Sequence, residues 1–79
     1  MKLHELKVDQ RALIVEVSGD DGIAIRLMEM GLTDGEEIRL IGFAPLGDPI
    51  EFLVRGYRLS LRKTEAERVE VTALVDSKL

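Results

Sequence analysis

The segment spanning residues 26–50 constrains the path of the chain more than any other part of the sequence. Its first part reads as the end of a helix followed by Gly31, because the left-handed residue just past a helix end is most often glycine. Leu32 is then expected to fold back onto Leu27, an apolar contact that commonly accompanies such a cap. A second turn at residues 33–35 leads into a strand. The sequence therefore predicts a helix that stops abruptly and a chain that turns into a sheet.

Five short segments are predicted to be β-strands, four of them because apolar and polar residues alternate along them. They cover residues 12–17, 36–43, 49–55, 58–62 and 69–73. Gly42, inside the second segment, is expected to mark a bend or a bulge. Arg55 and Gly56 predict a tight hairpin turn between the third and fourth strands.

The first of these strands is almost entirely apolar, so its two faces are hard to tell apart. Glu16 is its only polar residue. Alternation about Glu16 leaves Ala12 and Ile14 on the face away from the core, unless a helix or a partner covers Ile14. The residues predicted to point inward are Leu13, Val15 and Val17.

A helix is predicted over residues 23–30, after a polar loop that ends in residues suited to helix N-caps. Helical spacing groups its apolar side chains on one stripe. The stripe consists of Ile23, Leu27 and Met30, with Ala24 and Met28 alongside. Arg26 and Glu29 face elsewhere.

Two further helical turns are predicted from short patterns. Leu3 and Leu6 are three residues apart, which suits one turn that covers the core. Thr64 and Glu67 have the spacing of a capping box, which predicts a single turn with Thr64 as its N-cap.

These elements predict a mainly β (α+β) domain with about five antiparallel strands and one helix inserted after the first strand. A chain of 79 residues permits one domain, predicted to span residues 1–79 with its core at about 6–74 and a frayed tail at 75–79. Closure of the sheet into a small barrel is expected, because closure removes edge strands.

Charge and composition narrow the classes of partner. The net charge of −4 and the pI near 4.9 argue against nucleic acid, which is bound by neutralising phosphates. No apolar run approaches the roughly 20 residues that span a bilayer, so no insertion into a membrane is expected. The absence of cysteine excludes thiolate metal sites and fits a reducing compartment. A cytoplasmic protein is predicted.

The sequence offers no set of residues for catalysis. His4 is the only histidine, so a nucleophile beside a positioned base is not expected, and we predict that the protein is not an enzyme. Acidic pairs at residues 20–21, 36–37 and 65/67 could hold a hard cation weakly. They suit helix starts and solvated strands equally well. We therefore predict no cofactor or metal site, and leave weak binding of a divalent metal such as Fe2+ open.

A surface for docking on a partner is predicted around the loop from Phe43 to Pro49. Its two prolines restrict the backbone, so the loop loses less entropy on binding. The candidate partner-binding residues are Arg26, Glu29, Met30, Phe43, Pro45, Leu46 and Tyr57. Arginine, tyrosine and other large side chains dominate the energetics of interfaces. Simpler interpretations stay open, since prolines shape turns, Leu46 could tuck under the helix and Phe43 could close one end of the barrel.

Two motifs together resemble the FeoA family, the small proteins that accompany the ferrous iron transporter FeoB. They are R-L-x-E-M-G-L at residues 26–32 and A-P-L-G-D-P at residues 44–49. The resemblance extends over about residues 6–74. It implies an SH3-like barrel, also found at the C-terminus of iron- and manganese-dependent repressors, and a cytoplasmic role in ferrous iron uptake. One departure is Val8-Asp9-Gln10, where family members commonly turn through a glycine.

Three functions are compatible with these features. The first is an accessory or regulatory protein that docks on the cytoplasmic region of a FeoB-type transporter, with weak self-association possible as well. The second is a metal-responsive module that holds a divalent transition metal through carboxylates, as the repressor domain implies. The third is a general peptide-binding adaptor, for which the chain has only Phe43, Phe52 and Tyr57 to line a groove and no tryptophan.

Overall fold

The computed structural model describes residues 1–75 and is built around one five-stranded antiparallel sheet. The strands are β1 (Arg11–Val17), β2 (Glu37–Phe43), β3 (Ile50–Val54), β4 (Tyr57–Leu61) and β5 (Val69–Ala73). Helix α1 (Gly22–Glu29) follows β1, helix α2 (Lys63–Ala66) joins β4 to β5, and a 3₁₀ turn (Leu3–Glu5) precedes β1. The predicted fold class, mainly β with a helix after the first strand, is confirmed.

The sheet has the order β4-β3-β2-β1-β5, which leaves β4 and β5 at its two edges. Over residues 1–75 the hydrogen-bonded ladder does not close on itself as a barrel. The outer side of β5 is nevertheless covered in part by the start of the chain. Val71 donates its N–H to the carbonyl of Met1 at 2.8 Å, and Lys2 forms a β-bridge with Glu70. Such covering limits pairing with other chains at that edge.

Strand β1 packs Val17 against the core as predicted, but the residues before Glu16 face the opposite way to the prediction. Ala12 and Ile14 are buried, whereas Leu13 and Val15 are 36% and 42% exposed. The register between β1 and β5 shifts between Ile14 and Glu16. A bulge of this kind adds one residue and interrupts the two-residue alternation of a strand. The side on which Glu16 lies therefore cannot be used to assign the sides on which residues 12–14 lie.

Helix α1 starts at the predicted polar loop but buries a narrower stripe than expected. Asp21 is its N-cap, and the Asp21 carboxylate accepts a hydrogen bond from the N–H of Ala24 at 3.2 Å. Of the helix residues, Ala24 and Leu27 are buried. The exposed apolar residues are Ile23, Ile25 and Met28. Neighbouring residues of a helix differ by about 100° in direction, so a stripe centred on residues 24 and 27 leaves positions 23 and 28 at its margins.

Helix α1 ends in the predicted glycine stop. Gly31 has a φ of +102°. Its N–H donates to the carbonyl of Met28 at 3.0 Å, and the N–H of Leu32 donates to the carbonyl of Leu27 at 3.2 Å. These two bonds define a Schellman motif. Leu27 and Leu32 both lie in the buried core cluster, which agrees with the predicted apolar contact.

Three predicted irregularities occur at the expected positions. A backbone hydrogen bond of 3.1 Å closes the turn at residues 33–36. The register between β2 and β3 shifts next to Gly42, which confirms a bulge there. Arg55 and Gly56 both have positive φ, 53° and 85°, as a two-residue type I′ hairpin requires.

The turn into β1 keeps a left-handed residue without using glycine. Asp9 has a φ of +70°, and its N–H donates to the carbonyl of Leu40 at 2.7 Å. The N–H of Gln10 donates to the carbonyl of Lys7 at 3.0 Å and closes the turn. Aspartate tolerates this conformation better than most residues with a Cβ.

Helix α2 is a single turn as predicted, but it begins two residues before the predicted position. Arg62 is the N-cap instead of Thr64, and the Glu65 carboxylate accepts a hydrogen bond from the N–H of Arg62 at 2.8 Å. The carboxylate three residues after the cap is therefore Glu65 and not Glu67. This register places Ala66 in the core, where it is fully buried.

The core lies on one face of the sheet, beneath the helices. Its buried residues are Leu3, Leu6, Ala12, Ile14, Leu27, Leu32, Ile38, Leu40, Ile50, Phe52, Val54, Leu61, Ala66, Val69 and Val71. Val17, Met30 and Leu59 pack against this cluster. The burial of Leu3 and Leu6 confirms the predicted turn that covers the core. The predicted frayed tail lies outside the described residues except for Val75, which is 88% exposed. The predicted domain limits stay a prediction.

Candidate docking surface

The loop between β2 and β3 is held by three hydrogen bonds. Ala44 donates its N–H to the carbonyl of Pro49 at 2.9 Å, which closes the base of the loop. The N–H of Gly47 donates to the carbonyl of Ala44 at 2.7 Å. The Asp48 carboxylate accepts a hydrogen bond from the N–H of Lys63 at 2.9 Å and so ties the loop to the start of α2. A loop held in this way loses little conformational entropy when a partner binds it.

Leu46 lies at the tip of this loop and is 96% exposed. Pro45, beside it, is also exposed. Leu46 therefore does not tuck under the helix, which was the simpler interpretation. A single exposed leucine is ordinary on a protein surface. What distinguishes Leu46 is its position on a loop whose backbone is held by hydrogen bonds.

Phe43 ends β2 and is 47% exposed, so its ring does not close one end of the sheet. It borders a shallow depression of about 200 Å3. The depression is lined by Gly42, Phe43, Ala44, Pro49, Glu51 and Ser60. This combination of apolar walls and two polar side chains is suited to an apolar anchor flanked by hydrogen bonds.

Met30 and Tyr57 are brought together by the fold. The Tyr57 hydroxyl donates a hydrogen bond to the carbonyl oxygen of Met30 at 2.5 Å. The Met30 side chain packs against the core, whereas Tyr57 remains 47% exposed. The hairpin between β3 and β4 is thereby attached to the end of α1.

Arg26 and Glu29 differ in their partners. Arg26 forms an ion pair with Glu65 of α2, whose side chain is only 15% exposed. Arg26 is therefore not a free helix charge, and its guanidinium connects the two helices. Glu29 is exposed and forms no ion pair with any residue in the range 1–75.

The seven candidate residues fall into two groups that share one neighbour. The first group, at the end of α1, consists of Arg26, Glu29, Met30 and Tyr57. The second, on the loop, consists of Phe43, Pro45 and Leu46. Helix α2 contacts the first group and the loop that carries the second, since Glu65 pairs with Arg26 and the N–H of Lys63 donates to the Asp48 carboxylate. That the two groups bind a partner stays a prediction.

Several residues that position this surface were not singled out from the sequence. Asp48 ties the loop to α2, and Glu65 holds both Arg26 and the N-cap of α2. Helix α1 also exposes three apolar side chains, those of Ile23, Ile25 and Met28. An aspartate before a proline in a loop was the available signal for Asp48. The other contacts depend on tertiary arrangement.

The described residues contain neither a cluster of metal ligands nor a helix that could span a membrane. Within residues 1–75 no three His, Cys, Asp or Glu side chains lie close enough together to hold a metal ion. His4 has a buried Nδ1 that meets no hydrogen-bond partner. In the same part of the chain, no helix is long and apolar enough to span a bilayer.

Comparison with known proteins identifies related sequences. A family model for the FeoA domain matches residues 1–73. The Fe(2+) transport protein A/Fe(2+) transporter FeoB fusion protein of Porphyromonas gingivalis is 38% identical over 71 residues. The match covers 90% of this chain but only 8% of that protein, so this chain spans less than a tenth of the relative's length.

Solved structures of similar proteins have the same fold. The FeoA protein from Chlorobium tepidum is 41% identical with a TM-score of 0.88, over 99% of this chain and 74% of that one. FeoA from Stenotrophomonas maltophilia, an SH3 domain protein complexed with zinc, is 39% identical with a TM-score of 0.80, over 90% and 88%. IdeR from T. acidophilum matches at 24% identity and a TM-score of 0.80, over 92% of this chain and 33% of that one, and this likeness shows the fold alone. The SH3-like fold is confirmed.

Proposed function

The chain belongs to the FeoA family, and we propose that it is a cytoplasmic accessory protein of ferrous iron uptake that docks on a FeoB-type transporter. The observation that carries the proposal is the fusion protein of Porphyromonas gingivalis, which joins Fe(2+) transport protein A and the transporter FeoB in one chain. Linking two modules raises their effective concentration for each other. A separate protein similar to the first module is therefore expected to act on a transporter similar to the second.

The proposed mechanism is a shift in the transporter's conformational equilibrium. A protein that binds one state of the cytoplasmic region more tightly than another favours that state without reacting with it. Couplings of this kind are typically about 1–3 kcal/mol. The chain would in this way modulate the activity or assembly of the transporter, and we propose that it is not itself an enzyme.

The loop between β2 and β3 supplies the proposed contact. Leu46 provides an exposed apolar anchor, and the hydrogen bonds at the loop's base hold it in place. Phe43 and the depression beside it extend the apolar surface. Interfaces owe most of their energy to a few such anchors placed centrally.

The direct test measures binding of the purified chain to the purified cytoplasmic region of a FeoB-type transporter by titration calorimetry. GTP turnover of that region is measured with and without the chain, and the full transporter in membranes is a second target. Saturable binding is expected. The substitution Leu46→Asp is expected to weaken it by about tenfold or more, because an apolar contact would then bury an unpaired carboxylate.

A matched control is Val8→Asp, which puts the same charge on another exposed aliphatic residue in the turn before β1. This control is expected to bind like the unchanged chain. An equal loss in both variants would contradict the loop as the contact. Absence of binding and of any change in turnover, with both the isolated region and membranes, would contradict docking itself.

A second candidate function is binding of a divalent metal, since one related FeoA is complexed with zinc. The side chains of residues 1–75 do not fit such a site. Structural and catalytic zinc sites are built from several histidine, cysteine or carboxylate ligands. Within residues 1–75 no set of three such side chains converges. Calorimetric titration with Zn2+, Mn2+ and Fe2+ tests this function, and sub-micromolar binding at a single site would favour it.

The remaining parts of the proposal concern location and assembly. We propose that the chain acts in the cytoplasm, because the part of the transporter that it is proposed to bind is the cytoplasmic region. We further propose weak self-association and no nucleic-acid partner, the latter because of the net charge of −4. Sedimentation velocity over a range of protein concentrations measures the self-association directly.

A further inference from the structure

Two arginines lie directly opposite each other on the outer face of the sheet. Arg11 of β1 pairs with Arg39 of β2, and Arg39 pairs in turn with Leu53 of β3. Arg39 points away from the core, because its neighbours Ile38 and Leu40 are buried. Like charges directly opposite in an antiparallel pair are destabilising. The stability of the sheet therefore does not explain why these two arginines lie opposite each other.

Carboxylates neutralise two nearby guanidinium groups but not that of Arg39. Nη1 of Arg11 lies 3.1 Å from Oε2 of Glu37. Nε of Arg55 lies 3.7 Å from Oε1 of Glu36. Arg39 forms no ion pair with any residue between 1 and 75. The positive charge of Arg39 is therefore not balanced by an ion pair with any carboxylate of residues 1–75.

These side chains border a shallow depression of about 240 Å3 on the sheet. It is lined by Arg11, Glu37, Arg39, Leu53, Arg55 and Gly56. Leu53 is half-buried and gives the depression an apolar part beside the charged groups. None of its lining residues belongs to the candidate docking surface around the loop between β2 and β3.

We propose that this depression binds one carboxylate side chain from an acidic segment of a protein partner. The planar guanidinium of Arg39 matches a carboxylate in bidentate geometry. One carboxylate matches the single charge of Arg39, whereas a phosphate dianion would bring a second negative charge close to Glu37. Leu53 provides a contact for an aliphatic residue next to the carboxylate in the partner. The site does not depend on docking by the loop between β2 and β3.

The test uses the peptide acetyl-Leu-Glu-Leu-amide, with acetyl-Leu-Gln-Leu-amide as its uncharged counterpart. Each is titrated into the 15N-labelled chain at low salt, and the backbone and arginine side-chain NMR signals are followed. The glutamate peptide is expected to shift signals of Arg11, Arg39, Leu53 and Gly56 with a millimolar Kd that rises with added salt. The glutamine peptide is expected to leave these signals in place.

Variants of the chain distinguish binding at the depression from nonspecific attraction of the peptide to positive charge. Arg39→Gln is expected to weaken peptide binding by about tenfold, the size expected for a charge-assisted hydrogen bond. Arg62→Gln is the matched control, because Arg62 is exposed, lies outside the depression and should leave the Kd unchanged. Glu37→Gln removes the carboxylate that competes for Arg11 and is expected to tighten binding. The midpoint of thermal unfolding should not fall in Arg39→Gln, since a like-charge contact is removed.

Several results would overturn the proposal. One is equal binding of the glutamate and glutamine peptides, and another is an equal loss in the Arg39 and Arg62 variants. Inorganic phosphate that shifts the same signals with an equal or lower Kd would refute the choice of a carboxylate. Weaker peptide binding in Glu37→Gln would also contradict it.

Discussion

The hydroxyl group of Tyr57 donates a hydrogen bond of 2.5 Å to the carbonyl oxygen of Met30. Met30 is the C-cap of α1 and Tyr57 is the first residue of β4, so this bond joins the helix end to the hairpin. Carbonyl groups in the last turn of a helix lack partners within it. A Cβ atom at Gly31 would lie 3.0 Å from the Tyr57 hydroxyl oxygen. Gly31 therefore permits both the left-handed turn and the approach of the tyrosine.

The substitution Tyr57→Phe removes only this hydroxyl group. It is expected to lower the free energy of unfolding by about 1 kcal/mol, the usual net contribution of one hydrogen bond. Urea unfolding measures the change, and amide exchange at residues 30–32 should become faster. If the free energy of unfolding is unchanged, a water molecule hydrogen-bonds the Met30 carbonyl as well as the Tyr57 hydroxyl does, and the prediction is wrong.

The substitution Gly31→Ala is expected to lower the free energy of unfolding by about 1–2 kcal/mol. An L-residue at a φ of +102° is strained, and the new methyl group would lie only 3.0 Å from the Tyr57 hydroxyl oxygen. Gly22→Ala is the control, because Gly22 lies in α1 with open space around it. The control is expected to lose no stability, since alanine favours helix. Similar losses in both variants would argue against the specific role of Gly31.

The pKa of the Asp21 carboxyl is held below its usual range, first by a hydrogen bond of 2.6 Å from the Arg68 guanidinium. The N–H of Ala24 lowers it further. A carboxyl whose pKa is lower in the folded state stabilises the fold above its unfolded pKa, and this stabilisation is lost as pH falls through the folded pKa. We therefore expect the chain to lose stability in acid as Asp21 is protonated.

NMR titration of the Asp21 carboxyl carbon checks this assignment. Arg68→Met is expected to raise the Asp21 pKa toward its ordinary value, and the acid-dependent part of the stability should shrink with it. Arg58→Met removes an arginine that lies 3.6 Å from Glu51, and it should leave the Asp21 pKa where it was. An Asp21 pKa that does not respond to Arg68→Met would contradict the Arg68 hydrogen bond as the cause of the lowered value.

The parts of the fold that follow from local chemistry were predictable from the sequence. Gly31 and the pair Arg55 and Gly56 mark turns that need positive φ, and the structure has them there. Asp9 shows the limit of this reasoning. Because an aspartate also reaches the left-handed region, with a φ of +70°, the turn before β1 forms without a glycine.

The candidate site was predictable only in part. An exposed apolar tip was predicted for the loop between β2 and β3, because the loop has two prolines and Leu46 has no evident role in the core. Leu46 is exposed. The pairing of Arg26 with Glu65 and the opposition of Arg11 and Arg39 could not be predicted, because both depend on the register and packing of distant segments. Charge pairs of that kind leave no periodic signal in the sequence.

The bulge in β1 predicts that truncating two adjacent aliphatic residues, Leu13 and Ile14, has different effects on stability. Ile14 is 1% exposed and Leu13 is 36% exposed, the reverse of what alternation about Glu16 predicted. Ile14→Ala is therefore expected to lower the free energy of unfolding by about 2–5 kcal/mol, because it removes buried methyl groups and leaves a cavity. Leu13→Ala should cost less than about 1 kcal/mol, because most partly exposed positions contribute little. Urea unfolding of the two variants decides between the faces, and a larger loss at Leu13 would contradict the register shift between β1 and β5.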